Sequence, residues 1–184
     1  MNPDRQVKNT AGTSFLVASG NYVAINEGYR TNSGLGNSDA NTLVQSFQDT
    51  QGMFWADSQV QIRDILDGTT NQFMVTERAH RYRTAGCNNQ GRSAIVYVTR
   101  ATNQVQYPNR GDGDSLTTIG RGINVEAPDC SNDFLTNTSP SSQHKGGAQF
   151  AMADGSVRFV SENADLTTLR RVGQRQDGNV VGEF

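Results

Sequence analysis

Four groups of residues have types and spacings that could carry chemistry. His144 and Asp154 stand ten residues apart, the makings of an acid/base pair. Asp64 with Asp67, and Glu77 beside Arg78, offer further carboxylates for proton transfer or ion pairing. The run Asn109-Arg110-Gly111-Asp112-Gly113-Asp114-Ser115 places two carboxylates at alternate positions among glycines, as an oxygen-ligand calcium loop would begin. Cys87 and Cys130, each in a polar stretch, are the chain's two thiols.

Spacing weighs against most of these as reactive sites. A strand starting near Ala148 and rising ~3.3 Å per residue sets His144 some 20 to 30 Å from Asp154, beyond hydrogen-bond reach. Asp67-Gly68-Thr69 is more economically a turn, and Glu77 on an alternating strand a structural ion pair. A calcium site needs six to eight oxygens, and no later acidic ligand follows at the helix-loop-helix spacing, so a solvated turn competes with calcium near Asp112 and Asp114. Zinc is disfavoured, because His80 and His144 stand alone and neither cysteine has a close Cys or His partner. Paired, Cys87 and Cys130 would close a long loop and contribute about 4 kcal/mol in the chain-entropy model, implying an oxidising compartment; two unrelated free thiols are the alternative. No phosphate loop, dinucleotide fingerprint or Gly-x-Ser-x-Gly is present, so no catalytic residue, metal or cofactor is expected.

The elements that must position these residues are mostly strands. Segments 13–25, 72–81, 93–100, 148–153 and 156–161 are rich in Val, Ile, Phe, Tyr or Thr and bounded by Gly, Asn or Asp. Helical spacing is confined to 58–66, where Val60, Ile62, Ile65 and Leu66 could share a face, and to 165–172. In the second, Asp165 can cap, Leu166, Leu169 and Val172 recur at helical spacing, and Gly173 can end it. Asp154-Gly155 between alternating runs predicts a two-residue type I′ hairpin, with Phe150 opposite Phe159 and Met152 opposite Val157 on one face. That register, continued, sets His144 opposite Asp165 and predicts contact with residues 163–165. Segments 28–41 and 107–143 lack periodicity and are expected as surface loops. Trp55, beside Met53 and Phe54, is expected in the core or a subunit interface.

Composition agrees with this. Asn, Gln, Ser, Thr and Gly make up 81 of the 184 residues and only 34% are hydrophobic, which suits strands and turns around a lean core rather than long helices. A net charge of -2 with scattered arginines excludes a basic field for nucleic acid. No run of eighteen apolar residues exists to span a bilayer. The expected fold is a single domain over 1–184, mainly β with short helices (α+β), antiparallel, with a C-terminal hairpin and short helix.

Certain motifs carry a family resemblance. His144, nine intervening residues, Asp154-Gly155, then Ser156-Val157-Arg158-Phe159 and a closing Val180-Val181-Gly182-Glu183-Phe184 resemble the C-terminal motif of the bacterial prepilin-like H-X9-DG proteins. Upstream, Gly52-Met53-Phe54, then Val60-Gln61-Ile62-Arg63-Asp64-Ile65-Leu66-Asp67-Gly68-Thr69-Thr70-Asn71 and Val75-Thr76-Glu77, are similar to that family's middle segment, and Ser19-Gly20-Asn21-Tyr22-Val23 to an early strand. The resemblance covers about residues 15 to 184 in the same order.

The resemblance implies a pilin-like or type II secretion pseudopilin-like head domain, a structural subunit and not an enzyme. His144, Asp154, Gly155, Asp67 and Gly68 would be its motif residues, in a structural role. It also implies self-assembly into a homo-oligomer or filament, and an extracellular, cell-surface or periplasmic location. Family members begin with a prepilin-peptidase site and a long apolar helix. The present sequence has neither, so a head domain separated from a longer, membrane-anchored subunit and a natural form without the helix both fit. No membrane contact is expected of this stretch itself. The competing expectation, from another class, is a soluble extracellular binding module using the 107–143 loop.

Overall fold

A computed structural model of the chain describes residues 5–8, 14–17, 19–27, 51–54, 58–79, 94–95, 116–125, 139–179, 181–182 and 184. The first strands, β1 (Arg5–Lys8) and β2 (Ser14–Val17), pair antiparallel, and β3 (Ser19–Gly20) pairs with β6 (Ala94–Ile95). The remaining strands are β4 (Tyr22–Glu27), β5 (Phe73–Glu77), β7 (Leu116–Thr118), β8 (Gly147–Met152) and β9 (Val157–Ser161). They form one sheet in the order β7-β4-β5-β8-β9. Helix α1 (Leu166–Val172) follows.

Alternation sets one face of this sheet inward. Val23 and Ile25 on β4, Phe73 and Thr76 on β5, Ala148, Phe150 and Met152 on β8 and Val160 on β9 are all buried, and Leu169 and Val172 of α1 complete the cluster with Ile119 and Ile123. Phe73 and Phe150 lie ring to ring at 4.4 Å, and the Phe184 ring meets Phe73 edge-on at 5.6 Å. Full burial of each such aromatic contributes roughly 1.5–3 kcal/mol, which is how a lean composition still supports a core.

α1 forms as its sequence predicts. The Asp165 side chain accepts from the Thr168 amide and hydroxyl, Arg170 and Arg171 sit in the last turn, and Gly173 closes it. Segment 58–66 does not become a helix; it forms only a 3₁₀ turn at Ile62–Asp64, with Ile62 and Leu66 exposed and Ile65 buried. The Leu66 and Asp67 amides donate to the Arg175 carbonyl, so a distant segment takes the bonds that would have propagated the helix.

The sheet also departs from the antiparallel expectation. β7 runs parallel to β4, making the sheet mixed. β7 comes from the segment expected to be surface loop, yet Thr117, Thr118, Ile119 and Ile123 are buried, and Ser139 and Ser142 are buried on the far side of the same stretch. The rest of 107–143, with Asp112 and Asp114, lies outside the described residues, as do Trp55, Cys87 and Cys130.

The Asp154-Gly155 hairpin is where predicted but one residue out of register. The Met152 amide donates to Ser156 O and the Gly155 amide to Met152 O, giving a three-residue loop, Ala153-Asp154-Gly155, with only Gly155 at positive φ (85°). This is the turn-plus-bulge loop instead of type I′. Phe150 therefore pairs with Arg158 and Gln149 with Phe159. A one-residue slip moves a strand's side chains to the opposite face, so Val157 and Phe159 lie exposed on the outer surface while Val160 is buried.

Candidate functional site

The motif residues converge on two places in the fold. The first joins β5 to β8. Glu77, at the end of β5, keeps 14% of its side-chain surface exposed; its Oε2 accepts from the Gln149 amide at 2.8 Å and lies 3.0 Å from His144 Nδ1. Ser142 Oγ is 3.1 Å from the same Nδ1 and accepts from the His144 amide at 3.1 Å. An ionised carboxylate can only accept, so a hydrogen bond between an ionised Glu77 and the ring requires the proton on Nδ1. The hydrogen bonds of His144 thus go to Glu77 and Ser142 and not to residues 163–165; Asp165 spends its carboxylate on Thr168.

Ser142, His144 and Glu77 are the residue types of a nucleophilic triad, but the geometry is different. A relay needs one ring nitrogen on the acid and the other on the hydroxyl, whereas both partners here meet Nδ1. Ser142 is itself 4% exposed, its hydroxyl enclosed by the turn it stabilises. The cluster anchors the chain entering β8.

The second place is centred on Asp67. Its carboxylate accepts from the amides of Asp177 (2.7 Å) and Gly178 (3.1 Å), and Gly68 holds φ at 91°, open to glycine without strain. Arg175, 6% exposed, crosses the same region: its guanidinium donates to Gly52 O at 2.7 Å, its amide to Gln51 O, and its carbonyl accepts from Leu66 and Asp67. The 3₁₀ turn Thr69–Asn71 then meets the hairpin loop, where Asp154 N donates to Thr69 O and Ala153 N to Gln72 O. Asp154 Oδ1 accepts from the Ser156 amide (2.8 Å) and hydroxyl (2.6 Å), and these bonds, the hydroxyl's first, hold its carboxyl below the usual 3.8. The carboxyl of Asp165 is lowered by its bonds to Thr168.

Asp67-Gly68 and Asp154-Gly155 are thus brought together through Thr69, while His144 belongs to the Glu77 anchor. Glu77 stands in the motif strings and is expected there in a structural role, but the strings do not reveal its partner His144, 67 residues away, nor that Ser142 and Arg175 take part, Arg175 reaching Gly52 across 123 residues: separations at which spacing carries no signal.

Beside the Asp67 region an open cleft of about 440 Å³ is lined by Gln59, Val60, Arg63, Asp64, Leu66, Arg175 and Gln176. Asp64 is committed to the Gln61 amide at 2.8 Å, and Arg63 reaches Asp64 at 3.8 Å. Among the described residues no group of three or more His, Cys, Asp or Glu is placed to hold a metal, and no helix is long and apolar enough to cross a membrane.

No curated protein and no solved structure matches the chain. One family profile does, over residues 3–167, which takes in all five strands of the sheet and the motif residues Asp67, Gly68, His144, Asp154 and Gly155. The chain belongs to that bacterial family, described as Protein of unknown function (DUF1559).

Proposed function

We propose that this chain is the head domain of a pilin-like or pseudopilin-like structural subunit, exposed at the cell surface, in the periplasm or on an extracellular filament, and that its work is assembly rather than catalysis. The observation carrying this reading is how the motif residues spend their polar atoms. Asp67, Asp154 and His144 bond to backbone amides and neighbouring side chains that close the fold. Residues doing this preserve a shape, and a preserved shape is what a subunit that packs against copies of itself requires. The prepilin-like resemblance of the sequence supplies the kind of assembly.

The competing reading is a binding module built on 107–143, of which the described residues, 116–125 and 139–143, include strand β7 and are mostly buried. Electron microscopy of the complete gene product tests the proposal. Helical filaments carrying this domain on their surface are the expected result; dispersed monomers under conditions of native expression would overturn it.

A further inference from the structure

The outer face of the five-stranded sheet carries a continuous apolar row. Leu116 on β7 pairs with Ala24 on β4, Ala24 with Val75 on β5, Val75 with Ala151 on β8, and Ala151 with Val157 on β9. Leu116, Ala24, Val75 and Ala151 each alternate with a buried neighbour, and Val157 alternates with Arg158, which lies over the Phe184 ring on the inner side, so all five point away from the core. The row ends on β9, and among the described residues no strand pairs with the other side of β9. There Val157 is 65% exposed and Phe159 48%. Phe159 has a partial local reason for its place, its ring lying over Gly147. Val157 has none.

From this we infer that β9 is a pairing edge for a second copy of this chain, the two β9 strands joining antiparallel about a two-fold axis. Edge strands that stay single are ordinarily blunted by an outward charge, a proline or a bulge. The outward positions of β9 are Val157, Phe159 and Ser161, and its ladder to β8 is regular. Self-pairing is also free of charge conflict. Full overlap of five residues, with outward side chains kept outward, centres the axis on Phe159, setting Val157 opposite Ser161 of the other copy and Arg158 opposite Val160. Like charges never oppose, and Arg158 stays over the Phe184 ring, 5.5 Å from its centroid on the inner side. The apolar rows of the two copies then run on as one band.

The size of the contact sets its strength. Five paired residues span only roughly 17 Å, too short a contact to bury the 1,200–2,000 Å² typical of a stable dimer, so the pairing is weak and concentration-dependent, as suits one lateral contact among several. The inference rests on the assembly reading for its purpose but is tested apart from it.

Sedimentation velocity on the 184-residue chain, from about 10 µM to about 1 mM, should show a shift from monomer toward dimer. Val157→Lys should weaken association roughly tenfold, and Tyr22→Lys, on the same face but on inner strand β4, should leave it unchanged. Hydrogen exchange on the unaltered chain should show Val157–Ser161 amides slowing as concentration rises. A chain that remains monomeric throughout, which is also the outcome if the edge serves a different protein, overturns the inference. So does association that survives Val157→Lys, or that Tyr22→Lys disrupts equally, which would mean face-to-face packing. A monomeric chain whose full-length product still forms filaments sinks this inference alone; dimers without filaments sink the assembly reading alone.

Discussion

Glu77 Oε2 lies 3.0 Å from His144 Nδ1 while accepting the Gln149 amide at 2.8 Å, so a single carboxylate oxygen ties β5 to both β8 and the chain entering it. Removing the carboxylate strands a part-buried amide, whereas removing the imidazole exposes only a surface-facing bond. Glu77→Ala should therefore cost about 1–3 kcal/mol in chemical denaturation, with Glu77→Gln recovering most of it because its amide oxygen still accepts. His144→Ala, at a site 58% exposed, should cost under about 1 kcal/mol. If His144→Ala proves the more damaging of the two, His144 does more than anchor β8.

Gly147 should be irreplaceable for a reason its neighbours do not share. A Cβ there would overlap the backbone carbonyl of Val160 and come within 2.9 Å of the Phe159 ring, and backbone cannot step aside as a flexible side chain can. Gly147→Ala should cost about 1–3 kcal/mol or more through overpacking. Gly155→Ala meets no atom within 4 Å but must hold φ at 85°, costing about 1–2 kcal/mol, and Gly155→Asn should recover part of that. Thermal melts of the four variants distinguish overlap from backbone strain, since Gly147→Asn should recover nothing.

Acid should loosen the hairpin and the start of α1 together. The Asp154 and Asp165 carboxyls are both held below 3.8 in the folded chain, by Ser156 and Thr168 respectively. A depressed folded value means the contribution is fully present above the unfolded value and disappears as pH falls through the folded one. Stability should thus be flat with respect to these two groups at neutral pH and decline below roughly pH 4. Asp154→Asn with Asp165→Asn should shallow that decline while keeping the caps' acceptor oxygens, which urea midpoints taken from pH 7 to pH 2.5 would reveal; an unchanged slope would mean other carboxyls dominate.

What sequence made legible was local. α1 could be placed because its cap, apolar spacing and closing glycine are all within nine residues. The hairpin's position was legible too, but Asp-Gly suits both a two-residue and a three-residue loop, and contacts from Gln72 and Thr69 to Ala153 and Asp154 accompany the longer one. Those partners lie some eighty residues upstream. The same limit hid β7, whose Leu-Thr-Thr strand pairs parallel with β4 about ninety residues away, and the Arg175 carbonyl that captures the Leu66 and Asp67 amides. The motif residues themselves were visible from the strings they resemble; their partners were not, because hydrogen-bond partners across a sheet leave no periodicity.

Asp67 offers the sharpest separation between a structural motif residue and a reactive one. Its two oxygens hold the amides of Asp177 and Gly178 from 110 residues away, and its own amide is part of the Arg175 contact. Asp67→Ala should release residues 177–178 locally, raising their hydrogen-exchange rates, and cost about 1–3 kcal/mol as two amides lose a charged acceptor. Asp67→Asn keeps one acceptor oxygen and should sit midway in both measurements. A carboxylate kept for chemistry would behave otherwise: the Asn variant would fold as stably as the unaltered chain, because nothing in the fold would depend on its charge. Equal stability of Asp67→Asn and the unaltered chain, together with unchanged exchange at 177–178, would therefore remove Asp67 from the set of residues that shape the domain and return it to the list of reactive candidates.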